Sequence, residues 1–359
     1  MNGQTGGPWF AEPLTIREAC LRAAAILKAE AVEEPRNNAE LLLMHVLGID
    51  RASLLRDGGD SFPSERLAAW ERFVRRKAAG EPVQYMIGEQ WFYGRPFAVS
   101  PAVLIPRPET ELLVEAVIEA ADRLWPASAV GEGGQERRAD GERGAHMSEG
   151  KERSAEDGER TAHVSGELER SAAPTVVDVG TGSGAIAVTL AAQRPRWRVS
   201  ASDLSPDALA VARTNATRHE AADRMAFVQG DLLAPFVPGR EPRGSSAAPH
   251  VGLAIDVLVS NPPYIPAADL QGLQREVRDY EPHLALDGGA DGLEPYRRML
   301  EQLPLLAKLP RIVAFELGMG QPRIVADMLR SIGAWDDIRI IDDYAGIERH
   351  VIAVQTHPV

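Results

Sequence analysis

Four consecutive residues, Asn261-Pro262-Pro263-Tyr264, hold the most pointed chemistry in this chain. An asparagine oxygen can accept one hydrogen of a planar NH2 group. A backbone carbonyl in the Pro-Pro segment, held by fixed φ angles, can accept the other. A tyrosine ring can cover the face of the same group. Together they form a rigid clamp for an amide or amino nitrogen that must be oriented for attack. Taken alone, the tetrapeptide also fits an ordinary strand-ending turn, because neither proline can donate to a ladder. The apolar run before it, Val251 to Ser260, reads as a buried strand. Asn261 then falls at the carboxyl end of a strand, where open α/β sheets bind ligands.

A second group lies upstream. Gly180-Thr181-Gly182-Ser183-Gly184 follows the apolar run Thr175–Val179. Glycines there permit a tight turn and a close approach of backbone to ligand. The spacing is Gly-x-Gly-x-Gly, which differs from the dinucleotide pattern Gly-x-Gly-x-x-Gly. By itself such a loop is as readily a structural turn. Asp203 ends the next expected strand, about 20 residues beyond the loop, where an acid accepts both hydroxyls of a ribose. Asp231 ends the third, placed to reach an adenine amino group, with Leu232 after it. Glycine loop, acid, acid and clamp, in that order, describe an S-adenosylmethionine site with a substrate clamp beside it.

The elements that must position these residues are legible as alternating strands and helices. Strands are expected at Thr175–Val179, Trp197–Ser202, Met225–Gln229, Ile255–Ser260, Arg311–Glu316, Asp337–Ile341 and His350–Gln355. Helices are expected at Ala185–Gln193, Asp207–Glu220, Leu293–Leu306 and Arg323–Ile332. Such alternation gives a mostly parallel sheet covered on both faces. No helix separates the last two strands, so the sheet should close on an antiparallel hairpin.

Ahead of the sheet, residues 14–88 read as a small helical domain. Thr15 and Glu18 form a capping-box pattern, and Leu67, Trp70, Phe73 and Val74 keep a helical rhythm. Residues 88–103 read as a hairpin turning at Gly94-Arg95-Pro96. Pro106 and Pro108 then force an extended approach to a helix expected at Leu112–Leu124. Glu109 and Glu111 fit either capping charges or a lid over a ligand. The expected organisation is thus 1–87 helical, 88–103 hairpin and 104–359 catalytic. Residues 127–173 interrupt the last part. They nearly lack large apolar residues and carry a tandem duplication, Gly141-Glu-Arg recurring 17 residues on as Gly158-Glu-Arg. We read them as a disordered insertion. His146 and His163 recur with the duplication and suggest no metal site. A second polar stretch, Pro238 to Pro249, reads as a long loop.

A net charge of −13 argues against a protein held to nucleic acid through phosphates. Cys20 is the only cysteine, which excludes an internal disulfide framework and suggests a reducing cytoplasm. Neither a signal peptide nor a membrane-spanning run is expected. A monomer is the default.

Several stretches together resemble one family. They are Gly88-Glu-Gln-Trp-Phe, Leu104-Ile-Pro-Arg-Pro-Glu-Thr-Glu, Asp178-Val-Gly-Thr-Gly-Ser-Gly, Val259-Ser-Asn-Pro-Pro-Tyr-Ile, Glu281-Pro, Leu286-Asp-Gly-Gly-Ala-Asp-Gly-Leu and Glu316-Leu-Gly-x-x-Gln321. The chain is identified by them as a member of the HemK/PrmC family, the peptide-chain release factor glutamine methyltransferases. The resemblance implies a Rossmann-like S-adenosylmethionine-dependent domain of seven strands behind a helical substrate-recognition domain. It implies methyl transfer to the side-chain amide of the glutamine in the Gly-Gly-Gln motif of release factors. Gly180 to Gly184 would contact the methionine end of S-adenosyl-L-methionine and Asp203 its ribose. Asn261 would serve cofactor and substrate, with Pro262, Pro263 and Tyr264 completing the glutamine clamp. The position after Asp231, often Trp in the family, is Leu232 here, which keeps apolar cover without aromatic stacking.

Two other readings compete. An adenine-N6 methyltransferase on DNA or RNA could use the same clamp, but the acidic balance and the lack of a basic recognition domain count against it. A non-catalytic S-adenosylmethionine-binding protein would have no use for Asn261 and Tyr264 beside an intact glycine loop. No histidine is placed as a strong general base, so the expected catalyst works by position and electrostatics.

Overall fold

The computed structural model describes residues 9–126, 173–239 and 250–357. Nearly all of the duplicated insertion and of the polar loop before His250 lie outside them.

The helical region begins where the capping box requires. The Glu18 N–H donates to Thr15 Oγ1 at 3.2 Å, and the Thr15 N–H donates to Glu18 Oε2 at 2.9 Å, so two free donors of the first turn are satisfied. Helix α1 spans Ile16–Ala29, α2 Pro35–Leu47, α3 Arg51–Arg56, α4 Ser64–Ala78 and α5 Val83–Ile87. Their apolar faces meet around Phe10, Leu42, Leu43 and Trp70, all buried. Burying a side chain of this size contributes about 1.5–3 kcal/mol. The short helices α3 and α5 carry too few turns for periodicity to show.

Strands β1 (Glu89–Phe92) and β2 (Arg95–Ala98) pair antiparallel. Tyr93 and Gly94 join them, both with positive φ, as a two-residue primed turn demands. Helix α6 then runs Glu109–Leu124. It starts three residues before the expected Leu112, because Pro108 itself takes helical angles at the cap, a place that proline tolerates.

The sheet has seven strands: β3 Thr175–Val179, β4 Arg198–Asp203, β5 Met225–Gln229, β6 Val257–Ser260, β7 Ile312–Glu316, β8 Asp337–Asp342 and β9 Glu348–Val354. Their order is β5-β4-β3-β6-β7-β9-β8. All neighbours are parallel except those of β9, which runs antiparallel to β7 and β8. Helices α7 (Ala185–Gln193) and α8 (Pro206–Arg218) follow β3 and β4. Beyond β6 come a short helix α9 (Arg275–Tyr280), then α10 (Glu294–Gln302), with α11 (Pro322–Ile332) after β7. One core layer packs α6 and α7 on the sheet, the other α10 and α11. Residues of β3, β6 and β7 are buried at every position, as a doubly covered parallel sheet requires.

Three expectations need correction. The strand before Asn261 covers only its last four residues, Val257–Ser260, and not the whole run from Val251. Gly252 at φ +72 turns the chain there. The third strand spans Met225–Gln229 as expected, but Asp231 does not end it and lies two residues beyond. The helix expected to reach Leu306 ends at Gln302 and continues as a 3-10 turn through the Pro304 position, where proline removes a donor.

Helix α9 joins the helical region to the sheet. Lys77, fully buried, pairs with Glu276. Burial lowers the Lys77 pKa and Glu276 opposes that shift. The Tyr280 hydroxyl donates to Ala79 O at 3.3 Å. A Cβ on Gly80 would stand 2.8 Å from Arg275 Cδ. Among the described residues, no helix is long and apolar enough to cross a membrane.

Candidate active site

The strand order reverses between β4 and β6, with β3 shared. A switch point of this kind leaves a crevice at the carboxyl ends of the strands. Val179 is in register with Ser260, so Gly180 and Asn261 leave the sheet side by side. The Ser260 hydroxyl donates to Val179 O at 2.6 Å and fixes that spacing. A cavity of about 370 Å³ opens here, within the usual range of ligand sites.

Residues 180–183, Asp203, Leu204, Asp231, Leu232, Asn261 and Pro263 line this cavity. Leu104, Pro106, Arg107 and Thr110 also line it, so the segment before α6 forms part of the wall, while Glu109 and Glu111 are not lining residues. Gly184, Pro262 and Tyr264 are not lining residues. Gly184 serves packing instead: its Cβ would lie 3.1 Å from Ala212 Cβ of α8.

The glycine loop is folded by its own neighbours. The N–H groups of Gly180 and Thr181 donate to Ser202 O at 2.8 and 2.9 Å. The Gly182 N–H donates to Asp203 Oδ2 at 2.9 Å, and the Ser205 N–H to Oδ1 at the same distance. Gly180 and Gly182 have φ of +70 and +54, a region that side chains adopt at a cost. Burial raises the Asp203 pKa, and backbone donors at Ser205, Gly182 and Leu204 oppose the shift. Beneath the loop, Asp178 is wholly buried and accepts from the Thr181 hydroxyl at 2.7 Å. Desolvation pushes its carboxyl up to about 7.

Asp231 is not free to turn inward alone, since Arg298 pairs with it at the cavity edge. Gly230 before it is required: a Cβ there would meet Pro235 Cγ at 2.0 Å. Leu232 has φ +51, uncommon for a non-glycine residue and a mark of local strain. Its side chain packs on the second core layer while facing the cavity.

Asn261 is only half-buried, and its Nδ2 donates to Thr110 Oγ1 at 3.3 Å. That bond leaves Oδ1 as the acceptor available to a ligand. Thr110, itself buried, was hidden in the sequence between two glutamates that drew the attention. Of those, Glu111 accepts the Tyr93 N–H at 2.9 Å and so braces the hairpin turn. Sequence reasoning also missed Arg107 and Glu281 as a pair. Glu281 is buried and accepts from Arg107 Nη2 at 2.6 Å and from the Ile105 N–H at 3.3 Å. This holds Pro106 over the crevice. The signal was present in the Arg-Pro-Glu-Thr-Glu and Glu-Pro segments, with nothing to say that they meet.

Tyr264 lies behind the cavity wall. Its phenol is pushed up to about 12, by burial first and then by the Glu316 carboxylate, so it stays protonated near neutrality. Its backbone is hemmed in by glycines. A Cβ on Gly292 would stand 2.2 Å from Tyr264 O, and one on Gly288 would stand 2.9 Å from Tyr264 C. The Ile265 N–H donates to Leu286 O at 3.0 Å, and the Gly288 N–H donates back to Ile265 O at 2.9 Å. The glycine-rich run 286–293 is thereby explained as the bed on which the clamp rests.

Comparison with known proteins agrees along the whole chain. The family model for the PrmC N-terminal domain matches residues 18–88. A methyltransferase-domain model matches residues 176–241. The release factor glutamine methyltransferase of Moorella thermoacetica is 37% identical over 95% of this chain and 98% of its own length. That of Bacillus subtilis is 37% identical over the same shares. That of Chlorobaculum tepidum is 37% identical over 93% of this chain and 95% of its own. With helical region, glycine loop and clamp all covered by these matches, the chain belongs to the release factor glutamine methyltransferase family, among the S-adenosylmethionine-dependent methyltransferases.

Proposed function

We propose that this chain transfers a methyl group from S-adenosylmethionine to the side-chain amide nitrogen, N5, of the glutamine in the Gly-Gly-Gln motif of release factors. The observation that carries this reading is the Asn261 amide, tied through Nδ2 to Thr110 beside the glycine loop, with Oδ1 left to accept.

The residues present fit the cofactor. Gly180–Ser183 offer a backbone cradle in which Gly180 and Gly182 hold positive φ and leave open space where a Cβ would stand, and Gly184 sets the loop against α8. Asp203 has lone pairs left for ribose hydroxyls after two backbone bonds. Asp231 and Leu232 flank the place for the adenine, polar edge and apolar face. When bound, the cofactor supplies an electrophilic methyl on sulfur.

A glutamine amide nitrogen is a weak nucleophile because its lone pair is delocalised into the carbonyl. Asn261 Oδ1 and the Pro262 carbonyl would each accept one amide hydrogen, with Pro263 and Tyr264 holding the clamp's shape. Positive charge develops on the nitrogen as the new N–C bond forms, and these two acceptors face it. Holding the nitrogen in line is worth several kcal/mol, about 7–11 in the best-oriented intramolecular reactions. The Tyr264 phenol stays protonated near neutrality and so cannot take the amide proton; that proton would leave to solvent after transfer. The helical region, residues 16–87, would grip the release factor as a protein partner. The chain would act in the cytoplasm as a monomer.

Purified protein with methyl-labelled S-adenosylmethionine should label a release factor and fail on its Gln→Ala form and on duplex DNA. Label in DNA, or equal label in the Gln→Ala form, would sink the reading.

A further inference from the structure

The reading of Asn261–Tyr264 as a clamp leaves a buried side chain beside it, Gln321, without a role. Gln321 stands at the start of α11, 8% exposed. Its Oε1 accepts the Gly318 N–H at 2.9 Å. Its Nε2 donates to Tyr264 O at 2.9 Å and approaches Asp291 O at 3.5 Å. One amide thus joins three loops: the one after β6, the one before α10 and the one after β7. The surroundings admit little else. A Cβ on Gly292 would lie 2.4 Å from Gln321 Nε2, and one on Gly318 would lie 3.0 Å from Oε1.

We infer that Gln321 is the positioning residue of the clamp. It touches neither substrate nor cofactor and lines no part of the cavity. It holds the Tyr264 carbonyl, two residues past Pro262, and Pro262 and Pro263 both have fixed φ. With that end anchored, the Pro262 carbonyl keeps one orientation, backed by the Tyr264 ring behind the cavity wall. The inference rests on the clamp reading given above. Only a side chain with an acceptor and a donor at this distance can make both bonds, and glutamine supplies them at every pH.

Gln321→Glu tests this with nearly the same shape. The carboxyl still accepts from Gly318. It can donate to Tyr264 O only while protonated, and ionised it faces the Tyr264 and Asp291 carbonyls. Those carbonyls disfavour its anion and raise its pKa. The variant's kcat, divided by that of the wild type at each pH, should fall about ten-fold as pH rises through this titration. Cofactor affinity by calorimetry should stay within about two-fold throughout. Gln321→Met, which can make neither bond, should show a loss in kcat of the same size with no pH dependence. A flat Gln321→Glu ratio at the wild-type level overturns the inference. So does a loss in either variant that comes with equal losses of cofactor affinity and melting temperature, which would be a structural defect. The clamp reading itself fails separately, if wild-type protein does not label the release factor glutamine.

Discussion

The two halves of the site are built in opposite ways. The glycine loop is held by nearer neighbours, its longest side-chain tie being Asn215 to Ser183, 32 residues apart. The clamp is held from afar. Thr110 reaches Asn261 across 151 residues, and Gln321 reaches Tyr264 across 57. A cofactor shared by many enzymes can be held by a local motif, whereas the part that selects the acceptor draws on the whole chain. Damage to the first half should therefore show in affinity, and damage to the second in rate.

That contrast can be broken by three substitutions. Asn261→Ala should lower kcat about 100- to 1,000-fold, as loss of a preorganised charge-stabilising group does, while S-adenosylmethionine still binds in calorimetry. A comparable loss of binding would merge the halves. Asp203→Ala should weaken cofactor binding about 10- to 100-fold, the range for hydrogen bonds to a charged group. Its kcat at saturating cofactor should stay near that of the wild type, and a collapse of kcat there would place Asp203 in the chemistry. Thr110→Val keeps the shape and removes the acceptor for Asn261 Nδ2. It should lower kcat about ten-fold with unchanged cofactor affinity. An unaltered rate would mean that Asn261 is oriented by other means.

The same contrast explains what the sequence alone could reveal. Local features came through: the Thr15–Glu18 box, the β1–β2 hairpin, and strand β3 with its glycine loop, although the hairpin turns at Tyr93-Gly94 and the expected turn residues Arg95 and Pro96 lie in β2. Each is written within a few residues, by capping geometry, turn chemistry or a run buried on both faces. The clamp tetrapeptide was legible for the same reason. Its supports were not. Thr110, Glu281 and Gln321 are polar residues whose sequence neighbours give no hint of burial, and they matter only through partners that the fold delivers. Helix α9, six residues long, is too short for periodicity. The strand before Asn261 was overextended because its apolar run continues past Gly252, where one left-handed residue outweighs hydrophobicity.

One buried amide carries a consequence for the hairpin. Asn215 of α8 accepts the Ala98 N–H at 2.7 Å and donates to Ala98 O at 3.0 Å and to Ser183 O at 2.8 Å. It thereby couples β2, which lines no part of the cavity, to a loop that does. Coupling free energy is reciprocal. Whatever steadies the loop at Ser183 quiets the opening of the hairpin by the same amount, and a loosened hairpin is felt as weaker retention of the methyl donor. The β1–β2 ribbon is in this sense tied to the wall of the cavity.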